Sequence, residues 1–105
     1  MKETQTAPGI AEIKAAHQRI AGYIHRTPVI HSHLLDELAG CRLGFKCENL
    51  QKVGAFKARG ALNAVLGLSN SETAVATHSS GNHAAALALA ASVRGLAAHI
   101  VMPAN

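Results

Sequence analysis

The sequence predicts an α/β fold in which a twisted parallel sheet is flanked by helices. Three consecutive segments lead to this prediction. Residues 73–78 (TAVATH) are rich in strand-forming residues, residues 83–94 form an alanine- and leucine-rich helical segment, and residues 97–103 (AAHIVMP) are typical of a buried strand. Because the connections between these segments are short, we expect a right-handed crossover between parallel strands.

The first helix is predicted from Ile10 to about Tyr23, where apolar residues recur near helical spacing. The segment that follows, residues 25–32 (HRTPVIHS), should be extended, because Pro28 disfavours helical backbone at Thr27. The chain is therefore expected to enter the fold through one helix and one extended segment.

A second, short helix is predicted at residues 33–40 (HLLDELAG), with Ser32 as its N-cap and Gly40 as its stop signal. Residues 42–48 (RLGFKCE) then alternate between apolar and charged side chains, which predicts a strand with one buried face. The residues expected on that face are Leu43, Phe45 and Cys47.

The predicted elements need more cover than this chain supplies. The helical segment at residues 83–94 is apolar nearly all round, so it should be covered on more than one side. Parallel strands likewise need both faces covered, and the sequence ends at Asn105, directly after a strand. We therefore interpret residues 1–9 as a flexible tail, and residues 10–105 as the N-terminal part of a larger domain, truncated at its C-terminal end.

Composition and charge exclude several classes of function. The formal net charge is +4, but the basic residues form no run and aromatic residues make up only 3% of the chain, which argues against a nucleic-acid partner. No apolar run approaches the ~20 residues of a membrane span, and the polar N-terminus (MKETQTAPG) lacks the apolar core of a signal peptide.

The cysteines indicate the compartment. If Cys41 and Cys47 both lie on one strand, six steps of ~3.3 Å separate them by roughly 20 Å, well beyond the ~7 Å that a disulfide spans. They cannot pair along that strand. A reducing, cytoplasmic environment is therefore expected.

A third helix is expected from roughly Ala55 to Leu68, and Lys57 lies in its first turn. Unsatisfied backbone N–H groups at a helix start create positive potential, and Arg59 adds a nearby cation. Both disfavour the ammonium form of the amine, as an imine-forming lysine requires. Phe56 and Ala55 could supply a partly dry site. On these grounds alone, a solvated surface lysine is still the more common case.

Residues 77–84 (THSSGNHA) contain a turn that leads from a strand into a helix. Such a turn presents free N–H groups, side-chain hydroxyls and the helix dipole to one place, which suits a carboxylate or a phosphate. Gly81 lets a ligand approach the backbone closely, and ligands in open parallel sheets bind beyond the carboxyl ends of the strands. By itself, the turn is equally compatible with an ordinary capped connection.

The histidines give weaker signals. His31 and His33 form a His-x-His pair, but no third or fourth ligand stands at metal spacing, so surface or capping roles are expected and no metal site is predicted. His78 and His83 flank the turn and are expected to form structural hydrogen bonds. The sequence has neither a Walker A motif nor G-x-G-x-x-G, which argues against a nucleotide-binding domain.

Three stretches together resemble a known family. HRTPV (25–29), KCENLQKVGAFKARGALNAV (46–65) and THSSGNHAAALALAA (77–91) occur in the order and rough spacing of the fold-type II pyridoxal-phosphate enzymes. Within that group the sequence is most similar to the threonine/serine dehydratases and serine racemases. The resemblance covers nearly all of residues 15–105.

The resemblance implies roles for individual residues. Lys57 would bind pyridoxal 5′-phosphate covalently through an imine and act as a proton-transfer base at the substrate Cα. Phe56 would pack beside the cofactor ring, and Asn82 would hydrogen-bond the 3′-oxygen of the ring. In racemases of the group, the serine that matches Ser80 is the base on the opposite face from the lysine. The loop that receives the substrate carboxylate would consist of Ser79, Ser80, Gly81, Asn82 and His83.

The sequence departs from the family pattern in two places and lacks several parts. Position 55 is alanine where serine is common, and position 84 is alanine where many members have glycine. The glycine-rich phosphate loop and the residue facing the pyridine nitrogen come later in full-length relatives. The 105-residue chain alone is therefore expected to bind cofactor poorly and to be inactive.

For the full-length protein, the resemblance implies a dehydratase (ammonia-lyase) that converts L-threonine or L-serine into a 2-oxo acid and ammonia. A serine or hydroxyaspartate racemase or dehydratase of the same fold is the alternative. A third interpretation is a non-catalytic fragment or assembly module. The expected partners are a small amino-acid substrate and, for the full-length protein, further copies of itself, without nucleic acid or membrane.

Overall fold

The computed structural model describes residues 6–104, and its elements follow the predicted order. Helix α1 spans Ile10–Ile20, where the Glu12 carboxylate accepts a hydrogen bond of 2.9 Å from the Gly9 N–H and so begins the helix. The flexible tail predicted for residues 1–9 lies partly outside the described residues, since 1–5 are not among them.

The segment after α1 forms a small antiparallel hairpin-like pair around a short helix. Strand β1 (Val29–Ile30) pairs with strand β2 (Phe45–Lys46), and helix α2 (His33–Ala39) lies between them in sequence. The Ser32 hydroxyl accepts the Leu35 N–H, and Gly40 ends α2 with φ of 67°, so both predicted boundary signals are confirmed.

The strand predicted at residues 42–48 is wrong in its extent and in its buried face. Only β2 (Phe45–Lys46) is a strand, and the Phe45 side chain is 41% exposed. The physical reason is that β2 pairs with only the two residues of β1, so alternation has no long partner strand to extend along. Leu43 and Cys47 are half-buried.

Helix α3 (Lys57–Leu66) begins two residues later than expected. Two short 3₁₀ turns, Glu48–Leu50 and Lys52–Gly54, replace the predicted loop. Val53 and Gly54 have positive φ values of 56° and 68°, and Ala55 is extended, so helical backbone cannot start before Phe56.

A parallel strand–helix–strand unit completes the fold. Strand β3 (Ala74–His78) leads into helix α4 (Asn82–Arg94), which returns the chain to strand β4 (Ala97–Val101). The two strands pair in parallel, Ala74 opposite Ala97 and His78 opposite Val101. The predicted α/β class and the parallel pairing are confirmed.

The core lies between α1, α3 and α4. Alanines dominate the contact between α3 and α4, which lets the two helices approach closely. The other side of α4 is largely uncovered within residues 6–104, where Val93 is 38% exposed. The buried residues of this core are Ile20, Ala61, Leu62, Val65, Ala86, Leu87 and Ala90. None of the helices described over residues 6–104 has the length and apolarity needed to cross a bilayer.

Candidate functional site

Helices α3 and α4 begin at the same end of the molecule. At their other ends, the Arg94 guanidinium of α4 donates hydrogen bonds to the backbone carbonyls of Val65 (2.5 Å) and Ser69 (2.9 Å), at and just after the end of α3. The 3₁₀ turn that precedes α3 also packs against α4. Because α4 starts at the carboxyl end of β3, the first turn of α3 lies at that end of the sheet too.

Lys57 is the first residue of α3, and its side chain is exposed. Its ammonium nitrogen lies over the ring of Phe56, 5.6 Å from the ring centroid. Phe56 itself is 63% exposed, whereas Ala55 and Ala58 on either side are buried and anchor the backbone. The partly dry environment expected from Phe56 is therefore absent over residues 6–104, and the amine is open to solvent.

The turn at residues 79–83 carries donors on an open surface. The Gly81 N–H donates to the Ser79 hydroxyl at 3.2 Å, which fixes the turn, and the Ser79 N–H donates to the Val101 carbonyl at 3.0 Å, which ties it to β4. Within the described part of the chain, no side chain caps α4, so the N–H groups of its first turn remain available to a ligand. Ser80, Asn82 and His83 are exposed.

Beside this turn lies an open depression of about 390 Å³ at the carboxyl ends of β3 and β4. It is where an open parallel sheet places its ligands. Its lining consists of His78, Ser79, Ser80, Val101, Met102 and Pro103.

Behind α3, a polar network surrounds the carboxylate of Glu48. Arg59 pairs with one carboxylate oxygen through its Nε, while the Thr27 hydroxyl and the Gln51 amide each donate to the other oxygen at 3.3 Å. Thr27 and Gln51 are each only 4% exposed. The hydrogen bond and charge of Arg59, helped by those of Gln51 and Thr27, hold the pKa of Glu48 below its usual range against the opposing effect of burial.

Gln51 joins this network to the chain before β1. Its amide oxygen accepts the N–H groups of His25 and Lys52, both at 2.9 Å, and its amide nitrogen donates to the His25 carbonyl at 2.8 Å. Sequence reasoning missed Glu48, Gln51 and Thr27. The usable signal was a polar pair three residues apart, at 48 and 51, next to a segment that must start the lysine helix.

The structure corrects the role expected of Arg59. Two residues along an α-helix are about 200° apart around its axis, so Arg59 and Lys57 point to nearly opposite sides of α3. The charge of Arg59 is paired with Glu48 on the inner side, and the expectation that it adds free positive charge beside Lys57 is wrong.

The remaining histidines are engaged in local contacts. His31 Nδ1 is 2.7 Å from the Leu43 carbonyl oxygen, and His33 lies 3.7 Å from the Glu37 carboxylate one turn along α2. Over residues 6–104, no group of three or more His, Cys, Asp or Glu side chains is arranged to hold a metal ion. Cys41 and Cys47 are both free thiols.

Comparison with known proteins identifies relatives over almost the whole chain. A family model described as "Pyridoxal-phosphate dependent enzyme" matches residues 20–105. Serine racemase of Arabidopsis thaliana is 60% identical over 99 residues, which are 92% of this chain and 30% of that protein. The beta-hydroxyaspartate dehydratase of Paracoccus denitrificans is 54% identical and is covered to 31% of its length.

The solved structures agree with the sequence relatives. Maize serine racemase superposes with a TM-score of 0.85 at 52% identity, over 93% of this chain and 31% of that one. A bacterial-type match, the T.th. threonine deaminase, superposes with a TM-score of 0.80 at 53% identity, over 91% of this chain and 34% of that one. The chain therefore spans about a third of the length of the proteins that it matches.

Proposed function

The chain belongs to the family of pyridoxal-phosphate dependent enzymes, and on that premise we propose that it carries the cofactor-binding lysine and the substrate loop of an amino-acid dehydratase. The observation that carries this proposal is the common end at which α3 and α4 begin. It brings the amine of Lys57 to the same edge of the sheet as the hydroxyl- and N–H-bearing turn at residues 79–83.

The residues at this edge fit the cofactor. Its aldehyde requires an accessible primary amine, and Lys57 is exposed. Asn82, at the start of α4, offers a side-chain amide for the oxygen beside that aldehyde. The exposed ring of Phe56 adjoins the Lys57 ammonium group and offers a flat apolar surface to an aromatic ring.

When bound, the cofactor draws electrons from the substrate Cα and makes its hydrogen acidic. We propose that Lys57 accepts this proton. The N–H groups at the start of α4, with the Ser80 hydroxyl, hold the substrate carboxylate, helped by the positive potential of the helix N-terminus. The substrate is a small L-amino acid with a hydroxyl on Cβ, L-threonine or L-serine, whose nitrogen leaves as ammonia to give a 2-oxo acid.

A racemase is supported equally well. Ser80 is exposed in the turn and its hydroxyl is free to move a proton, so it would complement Lys57 from the other face of the substrate. The relatives include a serine racemase and a beta-hydroxyaspartate dehydratase at 60% and 54% identity. Both reactions start with the same proton at Cα, and they differ in whether a proton returns there.

We also propose that the reaction needs polypeptide beyond this chain, because the site is open to solvent and the relatives are about three times longer. Assembly of the complete protein into homo-oligomers and a cytoplasmic location are part of the same proposal.

A hybrid enzyme tests the proposal. In it, this chain replaces the matching third of the Arabidopsis serine racemase. Borohydride reduction in the presence of pyridoxal phosphate, followed by peptide mapping, should place the phosphopyridoxyl group on Lys57. Lys57→Ala should abolish this adduct, and Lys14→Ala, an exposed lysine on α1, should not. An unmodified Lys57 in a folded hybrid would refute the proposal.

The products of L-serine separate the two reactions. D-serine would support the racemase, and pyruvate without D-serine would support the dehydratase. The same assay on the 105-residue chain alone tests the expectation that it is inactive, and measurable turnover there would contradict the need for further polypeptide.

A further inference from the structure

The start of α3 lacks the usual means of holding a helix end. Among the described residues, no side chain caps its N-terminus, and its first turn contains no acidic residue. The backbone just before it passes through Val53 and Gly54, both in the left-handed region. Such an end would be expected to fray, and Lys57 is its first residue.

An arginine in this turn adds a further cost. The N-terminus of a helix carries partial positive charge, so Arg59 is repelled there unless an anion lies nearby. Glu48 supplies that anion through a pair whose side chains are only 19% (Glu48) and 29% (Arg59) exposed.

Glu48 is itself fixed from a distant part of the chain. The nearly buried Thr27 and Gln51 donate to its carboxylate, and Gln51 is bonded to the backbone on both sides of His25. A chain of hydrogen bonds therefore runs from the segment at residues 25–27, through Glu48, to the first turn of α3.

We propose that Glu48, acting through Arg59, is a positioning residue that fixes the backbone from which Lys57 reaches the cofactor. This inference rests on the proposed function for the part played by Lys57. Glu48 and Arg59 hold α3 from its inner side, opposite the exposed side chain of Lys57, so they act on its position without touching cofactor or substrate.

Arg94→Gln provides a matched control. Arg94 also bonds α3 through a guanidinium group, but at the other end of the helix, with contacts to the carbonyls of Val65 and Ser69. Its loss should lower overall stability without loosening the first turn. A third variant, Arg59→Lys, retains the positive charge but offers a single ammonium group in place of the planar guanidinium.

Amide hydrogen exchange in the 105-residue chain is the first measurement. In Glu48→Gln, exchange at residues 58–60 should accelerate about tenfold or more relative to exchange at residues 62–65, whereas Arg94→Gln should not change this ratio. Equal ratios in the two variants would overturn the proposal. This readout needs no cofactor.

Cofactor affinity in the hybrid enzyme is the second measurement. Glu48→Gln should weaken pyridoxal phosphate binding about tenfold more than Arg94→Gln, with Arg59→Lys recovering part of the affinity that Arg59→Ala loses. Equal losses in Glu48→Gln and Arg94→Gln would refute positioning by Glu48. Absence of a Lys57 adduct in the unsubstituted hybrid would instead refute the proposed function, so the two failures are distinguishable.

Discussion

Arg94, the last residue of α4, donates a hydrogen bond of 2.5 Å to the backbone carbonyl of Val65, near the end of α3. This contact satisfies one of the carbonyl groups that a helix leaves without an intrahelical partner at its C-terminal end. It also places positive charge where the helix dipole is negative. Because it joins the two C-terminal ends, it sets the two helices side by side in the same direction.

Arg94→Ala should therefore lower the free energy of unfolding. A hydrogen bond from a charged group contributes about 1.5–3 kcal/mol, and Arg94 is half-buried, so we expect a loss of about 1–3 kcal/mol. Urea denaturation followed by circular dichroism measures it. Arg42→Ala, which removes an exposed arginine outside the helices, is the control and should change stability by less than about 0.5 kcal/mol. Equal effects would show that the contact is not stabilising.

The sequence was most informative where local signals and packing agree. The α4 boundaries follow from the turn at residues 79–81 and from Gly95, which takes the left-handed conformation with φ of 74°. The parallel pairing of β3 and β4 follows from the short strand–helix–strand connections. In these segments, each neighbour in sequence is also a neighbour in space.

The segment between β2 and α3 could not be predicted in this way. Its 3₁₀ turns depend on Gln51, whose partners at His25 lie 26 residues earlier in the chain. Likewise, the pairing of Glu48 with Arg59 depends on a chain reversal that no periodicity encodes. For the candidate site, motif resemblance suggested the residues, whereas the common end of α3 and α4 required the Arg94 contact in three dimensions.

Acid should destabilise the protein through Glu48. Arg59 lowers the pKa of this carboxyl in the folded state, so its ionised form favours folding. That contribution is fully present above the pKa of the unfolded chain, near 4.5, and is lost as pH falls through the lower folded-state pKa. Thermal melts from about pH 7 to about pH 3 should show a smaller acid-induced loss in Glu48→Gln than in the unsubstituted chain. Parallel curves for the two proteins would contradict this assignment.

Val53 should be a site where substitution stabilises the fold. It has φ of 56° and ψ of 14°, a conformation that is unfavourable for a β-branched residue by roughly 1–2 kcal/mol. Asparagine tolerates this conformation better, so Val53→Asn should raise the free energy of unfolding by about 0.5–1 kcal/mol. Val53→Thr retains the β-branch and should give no gain. A destabilised Val53→Asn in urea denaturation would show that the side-chain contacts of Val53 outweigh its backbone strain.

Ser80→Ala in the hybrid enzyme should separate the two proposed reactions. Lys57 and Ser80 lie on different elements that begin at one edge of the sheet, and each has an exposed side chain. If Ser80 moves a proton at the substrate Cα, its removal should lower D-serine formation at least about 100-fold, since positioned acid–base groups contribute that much. Cofactor binding, measured from the borohydride adduct on Lys57, should be retained. Ser79→Ala is the matched control, because that hydroxyl accepts the Gly81 N–H and shapes the turn. If both variants lose D-serine and pyruvate formation equally, Ser80 acts on the shape of the loop and not on the proton.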